Sequence, residues 1–123
     1  MSELELARAG LDAWKRGDFE ALEELLAPDA TWRAVEPGEW DCERRDDILR
    51  TLRERYEEGF TLGPIELVEA GRRTVVLVSH PAEVGGEEWP EETAIAIRFR
   101  EGKVVTMQDY PTLADALEAS NRE

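Results

Sequence analysis

Near residue 60 the dominant spacing of apolar residues along this chain changes, and that change constrains the fold more than any other feature. Before it, Leu4, Leu6/Ala7, Leu11 and Trp14, then Phe19, Leu22, Leu25 and Leu26, then Ile48, Leu49, Leu52 and Tyr56 recur three and four residues apart. That spacing lines one face of a helix. After it, apolar residues alternate with polar ones in short runs between turn residues, the period of two that a half-buried strand needs. Helices followed by a run of strands predict an α+β domain whose sheet packs on the helices. At 123 residues the chain is one domain, 1–123, of the commonest size.

Local chemistry sets the expected boundaries. Ser2 with Glu5 three residues on is a capping-box pattern, and Gly17 ends the first helix. Asp18 caps a second, which Pro28-Asp29 breaks; residues 31–35 are β-prone, with Pro37-Gly38 as the turn after them. A third helix runs from 44 or 46 to 58, with Ile48, Leu49, Leu52 and Tyr56 inward and Gly59 as its cap. Strands are expected over 65–70, 74–80, 92–100 and 103–110, and residues 81–90 form a polar loop into which hairpin strands can extend. Thr112 with Asp115 three residues on caps a last short helix over 112–119. The result is a curved, mixed or antiparallel sheet forming a half-open cone against three N-terminal helices.

Charge narrows the partners. A net charge of −14 repels phosphate backbones and anionic membranes, so nucleic acid and membrane are not expected partners. The basic residues sit among acids, as in Glu43-Arg44-Arg45-Asp46-Asp47 and Arg53-Glu54-Arg55, which reads as a solvated, internally paired helix face. Neutral or cationic small organic ligands remain open. No apolar run reaches the ~20 residues of a membrane helix, and no basic-then-apolar leader opens the chain, so a cytoplasmic location is expected. Cys42 is the one cysteine and His80 the one histidine, too few soft ligands for an expected metal site; no cofactor is expected either.

The candidate chemistry clusters late in the chain. In Val104-Val105-Thr106-Met107-Gln108-Asp109-Tyr110, alternation puts Val105, Met107 and Asp109 on one face, an acid at the end of an apolar surface. In a cleft, Asp109 would have a raised pKa suited to proton transfer; in water it is an ordinary strand-end carboxylate. His80 shares a face with Val76 and Val78 and either enters the pocket or ends its strand. Arg98 shares a face with Ala94 and Ala96 and suits a ligand carboxylate, Asp109 or solvent. Trp32 beside Ala34 on one strand face pairs large with small, as a cavity wall does. Trp40 and Trp89, in polar surroundings, cover either a pocket mouth or an interface. Leu52 and Tyr56 from the third helix, with Val78, Met107 and Tyr110, complete the expected wall, while Trp14 is most simply core and Cys42 a packing residue.

Trp14-Lys15-Arg16-Gly17-Asp18-Phe19, Leu25-Leu26-Ala27-Pro28-Asp29-Ala30-Thr31-Trp32, Cys42-Glu43-Arg44-Arg45-Asp46-Asp47-Ile48 and Arg98-Phe99-Arg100-Glu101-Gly102-Lys103-Val104-Val105, in this order and spacing, resemble the nuclear transport factor 2-like superfamily, and within it the SnoaL-like branch. The resemblance implies a cystatin-like cone, a fold that hosts isomerases, cyclases, hydrolases, dehydratases and ligand binders alike. The ketosteroid-isomerase base would fall on Ala34 and its oxyanion donors on about Gly10 and Ile95, so that chemistry is not expected. A dehydratase-like His–Asp pair would use His80 and Asp109, with Tyr56 and Tyr110 as the only tyrosines. An epoxide-hydrolase-like set would have Asp109 and Arg98 but no second strand-borne Asp. SnoaL-like cyclases place an acid/base carboxylate late in the sheet, where Asp109 stands.

Three readings follow. The cone binds a small hydrophobic molecule without chemistry, favoured because partners for a general acid are missing. Alternatively it is a cofactor-independent isomerase, cyclase or lyase using Asp109 with His80, or it is a structural dimerisation module. A homodimer through the outer sheet face is expected, because Thr93, Ile95, Ile97 and Phe99 on one side of a strand and Ala94, Ala96 and Arg98 on the other imply burial of both faces.

Overall fold

In the computed structural model, which describes residues 2–36, 38, 41–59, 65–71, 73–79, 82–84, 87–89 and 93–121 (the side chains of 82–84 and 87–89 excepted), the helices begin where short-range chemistry directs. Before α1 (Glu3–Lys15), Ser2 Oγ accepts the Glu5 N–H at 3.2 Å, satisfying an amide that the first turn leaves without a helical partner. Gly17 turns the chain at φ +73°, and a Cβ there would lie 2.8 Å from Tyr56 Cζ, so this position needs glycine both for its backbone and for the ring beside it. Asp18 Oδ1 accepts the Ala21 N–H at 3.1 Å and starts α2 (Phe19–Leu25).

β1 (Leu26–Arg33) follows α2 directly and runs through Pro28-Asp29, starting earlier than the 31–35 strand expected. The physical reason lies in its position. β1 is at the edge of the sheet, with β7 as its strand neighbour, and its register slips between Leu26 and Thr31, an irregular edge where a residue without an N–H is tolerated. α3 (Arg45–Glu57) opens with the Asp47 carboxylate accepting the Glu43 N–H at 3.3 Å. β2 (Ile65–Glu69) and β3 (Thr74–Ser79) pair antiparallel. β4 (Ala82–Val84) and β5 (Glu87–Trp89) pair antiparallel in a separate two-stranded sheet within the expected polar loop. β6 (Thr93–Arg100), β7 (Lys103–Tyr110) and α4 (Leu113–Ser120) complete the chain. The main sheet runs β1-β7-β6-β3-β2, antiparallel except for β1, which lies parallel to β7.

Both faces of this sheet are covered by the chain's own helices. On one, Trp32, Val75, Leu77, Ile95, Ile97, Phe99, Val105 and Met107 pack with Leu4 and Ala7 of α1 and Ile48 and Leu52 of α3. On the other, Val76, Val78, Ala94, Ala96 and Tyr110 pack with Leu113, Ala116 and Leu117 of α4. A smaller cluster of Ala13, Trp14 and Leu22 joins the three N-terminal helices, with Trp14 Nε1 donating to the Leu52 carbonyl at 3.0 Å.

Alternation separates Ile95, Ile97 and Phe99 from Ala94 and Ala96 without saying which set meets the helices of the N-terminal half. The larger side chains fill that deep layer, and the small alanines face α4. Ile97 is therefore core, 8% exposed, and α4 packs on β3, β6 and β7 from the other face. Ile97→Glu is accordingly expected to lower unfolding free energy by roughly 3 kcal/mol or more, through a lost core side chain and a buried charge. Chemical denaturation should show this loss independently of protein concentration; an unchanged midpoint with only a change in oligomeric state would contradict the placement.

Candidate functional site at the β1–β7 seam

The parallel register of β1 on β7 sets Trp32 beside Met107, so their side chains share a face with Asp109 two residues further on. The indole is 6% exposed and its Nε1 donates to Asp109 Oδ1 at 2.7 Å. Burying the ring without a partner for its N–H would cost about 1–3 kcal/mol, comparable to the gain from burying the ring itself. The hydrogen bond is thus what makes a tryptophan favourable here.

Beyond Ala34 the chain folds back along β1. Trp32 and Cys42 exchange backbone hydrogen bonds, Trp32 N to Cys42 O at 2.9 Å and Cys42 N to Trp32 O at 2.7 Å. The Ala34 N–H donates to Asp41 Oδ1 at 2.9 Å, and Gln108 Nε2 reaches the Ala34 carbonyl from β7 at 3.2 Å. Arg33 pairs with Glu43 and lies 3.7 Å from Asp41, closing the base of this return. These contacts fix Ala34 beside Asp109.

α3 supplies the opposite wall. Thr51 and Arg55 stand one turn apart on its inner side; Thr51 Oγ1 donates to the Asp47 carbonyl at 3.0 Å and lies 3.7 Å from Cys42 Sγ. The Arg55 guanidinium carbon sits 5.1 Å from the centroid of the Trp32 ring, within cation–π range. Trp32, Ala34, Thr51, Arg55 and Asp109 together line a half-open cleft of about 30 Å³, room for one small polar group.

Electrostatics in the cleft centre on Asp109. Burial raises its pKa above the ordinary 3.8, and Asp41 adds to this; the Trp32 hydrogen bond and the positive charge of Arg55 pull it back down. Cys42 is pushed up mainly by burial, which makes it a packing thiol rather than a nucleophile.

A profile of the SnoaL-like domain matches residues 7–107. The chain belongs to the SnoaL-like domain family. No curated protein matches it in sequence. Solved structures share its fold: a protein of unknown function with a cystatin-like fold from Xanthomonas campestris (18% identity, 95% of this chain and 98% of that one, TM-score 0.73), a nuclear transport factor 2-like protein of unknown function from Burkholderia pseudomallei (21%, 96% and 97%, 0.67), and a "putative polyketide cyclase" from Pseudomonas putida (16%, 96% and 97%, 0.70). At these identities the likeness is one of fold.

In this SnoaL-like domain the expected site residues divide. Trp32, Ala34 and Asp109 meet in the cleft, with Met107 and Leu52 in the core beneath. Val78 and Tyr110 belong to the opposite sheet face under α4, and Arg98, exposed and alternating with Ile97, lies on that side too; none of the three reaches Asp109. Tyr56 is 41% exposed rather than inward, its ring packed edge-on against Phe19 at 5.7 Å. Trp40 and His80 lie outside the described residues, as does the side chain of Trp89. No helix among the described residues is long and apolar enough to cross a membrane.

Arg55 and Thr51 are the residues the sequence reading missed. A signal was present: Arg55 follows Ile48 by seven residues and Leu52 by three, which puts a cation on the apolar stripe.

The raised carboxyl has a consequence for stability. The folded protein binds the Asp109 proton more tightly than the unfolded chain does, so this group's contribution is full below pH 3.8 and is lost as pH rises through the raised folded-state value. Asp109→Asn keeps an oxygen for the Trp32 N–H and removes the half-buried charge. The variant is therefore expected to be more stable than wild type at pH 7, with the difference shrinking as pH falls toward 4. Urea unfolding at both pH values checks this, and a variant less stable at pH 7 would contradict it.

Proposed function

We propose that this SnoaL-like domain binds a small organic molecule, seating the molecule's polar end in the Trp32–Asp109 cleft. The observation that carries this reading is the convergence of a half-buried carboxyl, a guanidinium and an indole on one small opening. Polar groups converging on a concave opening are what fixes a ligand's orientation in a binding site. A cleft of about 30 Å³ admits one functional group, so the body of the ligand would lie at the mouth. This is a smaller and more polar site than a hydrophobic cavity within the cone.

A second reading, proton transfer without a cofactor, is favoured by one specific feature. Asp109 has a raised pKa, and Arg55 stands on the same cleft. A carboxyl that holds its proton at higher pH serves as a general acid or base, and a nearby cation stabilises an oxyanion as it develops. On this reading Asp109 moves the proton and Arg55 holds the charge, in an isomerase, cyclase or lyase reaction. The name carried by the Pseudomonas putida structure is consistent with it.

Filling the cleft tests the binding reading. Ala34→Leu places a branched side chain in the opening and leaves the Trp32–Asp109 contact intact. Small carbonyl compounds found to bind wild type by ligand-observed NMR are expected to bind the variant at least tenfold more weakly, about 1.4 kcal/mol. Binding unchanged in a folded Ala34→Leu protein would contradict the site.

A further inference from the structure

The donors and acceptors in the cleft specify more than a generic polar group. Trp32 Nε1 is committed to Asp109 Oδ1, so the remaining oxygen of Asp109 is the one available to a ligand. The Thr51 hydroxyl proton goes to the Asp47 carbonyl, leaving that oxygen as an acceptor only. Arg55, stacked over Trp32, brings a fixed positive charge whose planar N–H groups match a carboxylate. The Trp32 face is already covered by this cation, which disfavours a cationic ligand on the same ring.

We infer that the cleft recognises a carboxylate-bearing small molecule, its carboxylate held between the Arg55 guanidinium and the protonated carboxyl of Asp109. The inference rests on reading the cleft as a ligand site and names the class of ligand. The Asp109 O–H donates to one ligand oxygen, Arg55 N–H groups to the ligand's carboxylate, and Trp32 keeps Asp109 oriented. When Asp109 starts ionised, one proton is taken from solution for each ligand bound; no covalent bond forms or breaks.

The surroundings of Asp109 agree with this protonation. Among the described residues, the charged groups acting on it are Arg55 from α3 and Asp41 from the segment after β1. Its neighbour across β6, Ile95, is uncharged, as is Trp32 on β1. Burial and Asp41 already favour the proton, and an incoming carboxylate adds a second negative charge that favours it further. The chain's net charge of −14 repels an anion at long range, so recognition depends on Arg55 at contact rather than on steering.

Three probes of nearly equal shape and different charge test the class: benzoate, benzamide and benzylamine. Each is titrated into the full chain while the Trp32 indole N–H is followed by ¹H–¹⁵N NMR, the signal being the one that Trp32→Phe removes. Benzoate is expected to shift it saturably, with affinity falling about tenfold per pH unit above the Asp109 titration, as one linked proton requires. Arg55→Gln should weaken benzoate at least tenfold. Asp109→Asn, which cannot take up a proton, should remove the tenfold-per-unit pH dependence of benzoate affinity. If benzamide or benzylamine shifts the signal at lower concentration than benzoate, the carboxylate class is overturned and the ligand site stands. If none of the three moves it, the ligand site falls as well.

Discussion

The hydrogen bond from the Trp32 indole to Asp109, 2.7 Å long, joins the two halves of the chain where their different periodicities meet. It ties the edge strand that follows α2 to the last strand of the meander. It also accounts for two facts that would be unfavourable separately. A large indole is buried at the sheet edge, and a carboxyl is held away from water; each supplies what the other needs. The parallel register of β1 on β7 puts the partners on one face, and the return through Asp41 and Cys42 holds β1 in place.

Around that contact the charges are arranged with a purpose the net composition hides. A chain of net charge −14 places one of its arginines, Arg55, over the ring that orients Asp109. A stacked guanidinium near an aromatic contributes about 0.5–2 kcal/mol depending on its desolvation, and the same group lowers the cost of ionising Asp109. The pKa of Asp109 is therefore the balance of burial and Asp41 against the indole and Arg55, with burial the largest influence. A carboxyl set by such a balance responds to any ligand that alters one side of it.

Much of the frame was legible in the chain. Ser2, Asp18 and Thr112 mark helix starts through short-range side-chain chemistry that needs no tertiary context, and each caps as its residue type dictates. Alternation placed Val105, Met107 and Asp109 on one face, and Trp32 and Ala34 beside each other, because period two is fixed by the backbone. What alternation cannot give is which face meets which helix, since that depends on relative volumes and on the path of α4; Val78, Arg98 and Tyr110 were misplaced for that reason. Pro28 marked a break where an irregular edge strand forms instead. Arg55 was hidden in Arg53-Glu54-Arg55, where its exposed neighbours give the whole triplet the look of a solvated face.

The claim on which the rest depends is that Trp32 and Asp109 stabilise each other directly, and a double-mutant cycle measures it. Unfolding free energies of wild type, Trp32→Phe, Asp109→Ala and the double variant at pH 7 yield the coupling between the two side chains. A hydrogen bond to a carboxylate predicts a favourable coupling of about 1.5–3 kcal/mol. A coupling near zero would contradict the account, because the indole and the carboxyl would then be neighbours without being partners.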